Sequence, residues 1–185
     1  MINGDFANLN NQTFFVSKEQ SNCPLIPDIV RLGKKFEDLG LLKEDTEAII
    51  SLKYGKRLLI TGSGSKLGEI KINDIIEIVD YDPVKKVTLT IGPKNPHVET
   101  PVHWLIHKAR DDVNAIIHLK SVKLSEKLTK KLPSTEGEKP PGTLDLAKEV
   151  LKTLRTSKKI IIKNNGVLFV GNSLKESEDL ILKFL

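Results

Sequence analysis

The sequence predicts an α/β fold, a three-layer α/β/α sandwich around a mixed, mainly antiparallel sheet. Three observations predict it. Short β-rich runs come in pairs across tight turns: Ala48–Leu52 with Arg57–Thr61, Ile75–Asp80 with Val87–Ile91, and Ile160–Lys163 with Val167–Val170. Segments with apolar residues at helical spacing stand before, between and after these pairs. Helices interleaved with antiparallel pairs bury their stripes best by covering a sheet on both faces.

The elements follow in order. Residues 1–21 read as a flexible tail in which only Thr13-Phe14-Phe15-Val16 has the composition of an edge strand, so the domain is expected over 22–185. Leu25, Ile29, Leu32, Phe36 and Leu39 mark the first helix, and Gly40 stops it. The first strand pair turns at Lys53-Tyr54-Gly55-Lys56 and the second at residues 81–86. A loop rich in Pro, Gly and Asn, residues 92–98, leads to a helix with Thr100 as N-cap and Pro101 behind it, running to Arg110. Val113–His118 reads as a buried strand and Ser121–Lys131 as a basic amphipathic helix. Residues 132–142, with Pro133, Pro140 and Pro141, read as an exposed, mobile loop. Leu144, Ala147, Val150, Leu151 and Leu154 mark the next helix. Asn164-Asn165-Gly166 suits a turn with positive φ between the last two strands. Ser173 and Glu176 form a capping box for a final helix burying Leu174, Leu180, Ile181 and Phe184.

Composition narrows the function classes. A hydrophobic fraction of 39% with 29% charged residues describes a globular chain, and no apolar run approaches the roughly 18–20 residues that span a bilayer. The polar, Asn-rich start has neither the basic nor the apolar region of a signal peptide, and the single cysteine, Cys23, cannot form an internal disulfide; both fit a cytoplasmic location. The net charge of +5 is carried mostly by lysines mixed with acids, a solvated charged surface of the kind common in thermophilic proteins. Nucleic-acid binding is disfavoured, because aromatics do not interleave with the basic residues.

Several segments carry possible chemistry. Small residues after a strand, Gly62-Ser63-Gly64-Ser65-Lys66-Leu67-Gly68, form either a flexible turn or a loop whose amides cradle an anion; the glycine spacing is one residue too long for the dinucleotide fingerprint. Glu99, His103 and His107 recur at every fourth position and share one helix face. Two histidines so spaced either contribute to a zinc site or simply pack, and Glu99 is favoured at a helix start by the dipole. His118 ends a buried strand, as a satisfied polar group or as a ligand.

Four of these segments, in order, resemble the class II aldolase/adducin family. Arg57-Leu58-Leu59-Ile60-Thr61-Gly62-Ser63-Gly64 is similar to its strand and phosphate loop, and residues 95–103, NPHVETPVH, to its segment bearing the catalytic glutamate. Residues 110–121, RDDVNAIIHLKS, resemble its His-x-His strand, and residues 163–174, KNNGVLFVGNSL, its last strand pair. The resemblance covers about Leu25 to Leu185.

The resemblance implies a lyase that makes or breaks a carbon–carbon bond in sugar phosphates such as fuculose or ribulose phosphates. In that family three histidines hold zinc, which polarises a ketose carbonyl, and a glutamate moves the proton. It also implies a homo-oligomer, a tetramer with sites between subunits. Carried over residue by residue, Glu99 is the catalytic glutamate and Thr61, Gly62, Ser63 and Gly64 are the phosphate site. His118 is the surviving metal ligand, while Lys120 stands at the second histidine and Asn165 at the third. The family's phosphate-site stretch appears as Ala48-Ile49-Ile50-Ser51, and its two serines before the glutamate are His97 and Val98. An ammonium offers no lone pair to a cation and asparagine is a poor zinc ligand. The expectation is therefore a metal-free, non-catalytic or repurposed domain, either an oligomeric scaffold or a binder of a small anion such as a sugar phosphate. Two alternatives remain open. One is a metal-independent lyase or isomerase with Glu99 as acid/base and Lys120 as electrophile or Schiff-base amine. The other is a zinc site rebuilt from His97 or His103 beside His118.

Overall fold

The computed structural model describes residues 11–42 and 46–184. Eight strands form one sheet: β1 (Gln12–Ser17), β2 (Glu47–Tyr54), β3 (Arg57–Thr61), β4 (Ile75–Asp82), β5 (Val87–Ile91), β6 (Ala115–Lys120), β7 (Lys159–Ile162) and β8 (Gly166–Gly171). Their spatial order is β1-β5-β4-β3-β2-β6-β8-β7. The β1–β5 pair is parallel and the others are antiparallel, the mixed sheet that the hairpin signals predict. The helices are α1 (Ile26–Asp38), α2 (Thr100–Ala109), α3 (Val122–Leu128), α4 (Leu144–Leu154) and α5 (Leu174–Leu182).

Strand alternation builds the two faces. Ala48, Ile50 and Leu52 of β2, Ala115, Ile117 and Leu119 of β6, and Phe169 of β8 pack in one core with Ile29 and Phe36 of α1, Leu128 of α3 and Ile181 of α5. The intervening residues face the other way. Ile116, Leu168 and Val170 meet Val102 and Ile106 of α2 and Leu146, Val150 and Leu154 of α4. Ile49, Leu58, Ile60 and Ile76 meet Trp104. This gives the expected three layers, and it sets Glu47, Ile49 and Ser51 of β2 and Ile116, His118 and Lys120 of β6 on the α2 face.

The structure revises several local expectations. Gln12–Ser17 is the edge strand, and the Ser21 hydroxyl donates to the buried Glu77 carboxylate at 2.5 Å. The edge strand expected at residues 13–16 is therefore present and packs on the sheet, so the ordered part of the domain reaches back past residue 22 to Gln12, while residues 1–10 of the expected tail lie outside the described residues. The strand expected over Val113–His118 runs instead from Ala115 to Lys120. Val113 is held in a turn by its N–H on Arg110 O, and Lys120 pairs with Glu47. Helix α2 starts one position earlier than expected: Glu99 is the N-cap residue, and the Thr100 hydroxyl donates to His97 O. Ser121 is the N-cap of α3, which ends at Leu128. Residues 132–142 are not simply exposed. Leu132 and Thr135 are buried, Ser134 bridges to Ile161, and Thr135 Oγ1 accepts from Lys163 N.

Candidate functional site

The site lies on the α2 face, where the start of β2, the end of β6 and the turn before β8 come together. Register builds its first pair. Glu47 is opposite Lys120 and Ile49 opposite His118 across the antiparallel β2–β6 ladder. Cross-strand neighbours on one face are within side-chain reach, and Lys120 Nζ lies 2.8 Å from Glu47 Oε2. The other oxygen, Oε1, lies 2.8 Å from His97 Nε2. His97 Nδ1 accepts the Glu99 backbone N–H at 3.1 Å. Nε2 therefore carries a proton and donates it to Glu47. The His97 hydrogen bond first, then Lys120, pull the Glu47 carboxyl down from 4.5 to about 2, against the opposing effect of partial burial.

Glu99 is buried beneath this pair, with no exposed surface. Its Oε1 accepts from Asn165 Nδ2 at 2.6 Å and its Oε2 from Gly142 N at 3.0 Å. Two close backbone approaches make these bonds possible. Gly142 has φ +70, and a Cβ there would sit 2.1 Å from Val98 O. Gly166 has φ +109, and a Cβ there would sit 2.1 Å from Leu119 O, so the turn carrying Asn165 lies directly against β6. His118 Nε2 meets the Asn165 carbonyl at 2.8 Å.

The remaining histidines form a chain of defined polarity. His107 Nδ1 faces Val113 O at 3.1 Å and so donates to it. Its Nε2 then accepts from Ser51 Oγ at 3.0 Å, and Ser51 Oγ accepts from His103 Nδ1 at 2.8 Å. This leaves lone pairs on His103 Nε2 and His118 Nδ1, both buried without a hydrogen-bond partner among the described residues, on rings stacked 6.1 Å apart. Burial, the largest cause in each case, holds His103 well below the usual imidazole range, His107 at about 4, and His118 below its ordinary value. Neighbouring imidazoles add to the effect at His103 and Lys53 at His107, whereas Glu99 and the Asn165 carbonyl oppose it at His118.

The expected site residues thus divide into groups. Glu99, His118 and Asn165 form one hydrogen-bonded cluster, and Lys120 joins it through Glu47 and His97. His103 and His107 do share a helix face, but they meet Ser51, while Glu99 turns away to Asn165 and Gly142. The residues expected to form a phosphate loop, 61–64, stand beside the cluster. Gly62 bridges Pro96 and donates to Asp74 O, Ser63 N donates to Asn95 O, and Thr61 Oγ1 accepts from Ile50 N. Two of the amides that an anion would use are already taken. Sequence reasoning missed Glu47 and Gly142. The acid before an apolar strand run was a weak signal for the first, and the glycine before a helix for the second.

The residues present do not fit zinc. Among the described residues no group of three His, Cys, Asp or Glu side chains could hold a metal ion. His118 Nε2 already faces a carbonyl, Lys120 brings an ammonium, and the Asn165 amide donates to Glu99. His97 faces Glu47 and Glu99, so it does not rebuild a site with His118. His103 Nε2 and His118 Nδ1 do offer lone pairs, but they are two imidazoles with no third His, Cys, Asp or Glu among the described residues to complete a zinc site.

Comparison with known proteins agrees with the frame. The family model of the class II aldolase and adducin N-terminal domain matches residues 27–183. The chain belongs to this family. An L-fuculose phosphate aldolase from Methanocaldococcus jannaschii is 33% identical over 142 residues, covering 68% of this chain and 72% of that one. A 3-oxo-tetronate 4-phosphate decarboxylase from Haemophilus influenzae is 23% identical over 171 residues, covering 82% and 79%. Among solved structures, an L-fuculose 1-phosphate aldolase superposes with a TM-score of 0.74 at 21% identity, covering 89% of this chain and 82% of that one. The N-terminal class II aldolase domain of a Thermoplasma acidophilum protein gives 0.62 at 19% identity, covering 88% and 91%. These structures share the fold. No helix among the described residues is long and apolar enough to cross a membrane.

Proposed function

We propose that this class II aldolase-like domain is a repurposed, non-catalytic member of its family, a homo-oligomeric binder of small anions that works without a metal. The observation carrying this reading is the state of Glu99. A general acid/base must come within hydrogen-bond reach of the proton it moves. Glu99 is fully buried, with one oxygen on Asn165 Nδ2 and the other on Gly142 N–H. It ties the start of α2 to the loop before α4 and the turn before β8. The cationic and N–H donors of Lys120 and His97 are what the site offers a ligand.

A second reading rests on one observation. Lys120 connects to the Glu99 backbone through Glu47 and His97, so a cation and a carboxylate still flank one site. In that reading Lys120 is the electrophile and Glu99 the acid/base of a metal-independent lyase or isomerase.

The test is to measure zinc content in protein purified without chelators, and cleavage of L-fuculose 1-phosphate with added Zn²⁺ or with chelator. The expected result is no stoichiometric zinc and no turnover in either condition. Zinc-dependent turnover would overturn both readings. Chelator-resistant turnover abolished by Lys120→Met would put the second in place of the first.

A further inference from the structure

We infer that the Glu47 carboxylate is an internal stand-in for the carboxylate of a small ligand, which replaces it on Lys120 Nζ and His97 Nε2. This names the anion class and the contact atoms of the binding site proposed above, and it rests on that reading.

The geometry is that of a two-point carboxylate cradle. Two donors from separate parts of the chain, the end of β6 and the loop before α2, converge on the two oxygens of one carboxylate, each at 2.8 Å. Both donors are fixed from behind. His97 is 7% exposed, and the Glu99 backbone N–H on Nδ1 locks it in the tautomer that donates from Nε2. Lys120 is held by the strand and is 22% exposed. The carboxylate between them belongs to a side chain that is 44% exposed, at the first residue of β2.

A cross-strand ion pair alone accounts for Lys120 and Glu47, but pairs of this exposure contribute little to stability. It does not account for a buried imidazole aimed at the same carboxylate from another loop. A charge-assisted pair of donors of this kind accepts a carboxylate with both oxygens engaged. The amides of Gly62 and Ser63 are bonded to Asp74 and Asn95, so the anion's place is the Lys120–His97 cradle rather than that loop.

An internal competitor lowers apparent affinity by the fraction of time it occupies the site. Removing it should reveal the site. The probes are glycolate, a small hydroxycarboxylate, and inorganic phosphate. Each is titrated calorimetrically into the full chain, while the His97 imidazole nitrogens are followed by ¹⁵N NMR. Glu47→Ala is expected to bind glycolate at least tenfold more tightly than the wild type, with the His97 Nε2 resonance moving on titration. Adding Lys120→Met to Glu47→Ala is expected to abolish the gain. Should Glu47→Ala fold poorly, Glu47→Gln keeps the shape, removes the charge, and should shift affinity in the same direction. Equal glycolate binding by wild type and both Glu47 variants, or a gain that survives Lys120→Met, would overturn the inference. A tenfold gain for phosphate without one for glycolate would overturn the carboxylate assignment. No metal or turnover enters this test, so its failure leaves the metal-free reading to its own experiment.

Discussion

Glu47 and Lys120 lie directly opposite one another across the β2–β6 ladder, with Nζ 2.8 Å from Oε2. The lysine that the motif resemblance sets at the second histidine of His-x-His therefore meets a carboxylate. A fixed ammonium at that point repels a divalent cation, and the amide of Asn165 cannot replace an imidazole. Restoring ligands at both positions is the direct check. The double variant Lys120→His, Asn165→His sets three histidines, with His118, at the positions that the motif resemblance assigns to the family's metal ligands. It is expected to take up about one equivalent of zinc, with a melting temperature that falls on chelation, whereas the wild type shows neither change. A double variant that still binds no zinc, though folded by circular dichroism, would mean that these are not ligand positions.

Asn165 is predicted to matter for stability more than its place in a surface turn suggests. Its side chain gives Glu99 Oε1 a hydrogen bond at 2.6 Å in a fully buried setting. Asn165→Ala leaves a buried carboxylate oxygen without a donor, at a cost of roughly 2–4 kcal/mol. Asn165→Asp should cost more, because it sets a second carboxylate against the first. Urea denaturation of the three proteins measures both differences. A loss under about 0.5 kcal/mol for Asn165→Ala would mean that water satisfies Glu99 equally well.

Gly142 is predicted to tolerate no side chain. It combines φ +70 with a Cβ position 2.1 Å from Val98 O, and its N–H supplies the second bond to Glu99. Gly142→Ala must move the loop before α4 away from α2, breaking that bond, and is expected to cost at least about 2 kcal/mol. Amide exchange should locate the loss: protection should fall at Gly142 and at the start of α4, and not in β2–β3. Uniform loss of protection would show that the loop is coupled to the whole core instead.

The fold was readable because its signals are local. Ile160–Lys163, Asn164-Asn165-Gly166 and Val167–Val170 announce a hairpin by composition alone, and the structure has φ +58 at Asn164 and +109 at Gly166. The site was readable only in pieces. Glu99 and His118 stood out by their place at a helix start and a strand end, Asn165 only through resemblance, and their mutual hydrogen bonds depend on turns meeting from distant parts of the chain. Glu47 escaped notice because its importance lies in the β2–β6 register, a non-local pairing that no hydrophobic pattern encodes. The helical spacing of His103 and His107 did reveal a shared face. What that face meets, Ser51 on β2, could be seen only once the sheet was assembled.

The last prediction concerns acid. All four histidines of the chain are buried, and His103, His107 and His118 are held neutral chiefly by burial. For His107 the folded value is about 4 against an ordinary 6.5. Between those values the unfolded chain binds a proton that the folded chain refuses, so stability falls as pH drops below 6.5 and this loss is complete near pH 4. The shift corresponds to about 3 kcal/mol for His107 alone, and His103 acts in the same direction. Glu47 works in a lower window. Its carboxyl is pulled from 4.5 to about 2, so its contribution is present above 4.5 and is lost as pH falls toward 2, modestly because the side chain is partly exposed. Melting temperature should therefore decline steeply from pH 6.5 to 4 and continue more gently below. His107→Gln keeps a donor and an acceptor between Ser51 and Val113 without a titrating ring, and should flatten the upper part of that decline. A flat profile in the wild type from pH 6.5 to 4 would mean that the buried imidazoles ionise without cost, contrary to their lack of solvent and of countercharge at His103 and His107.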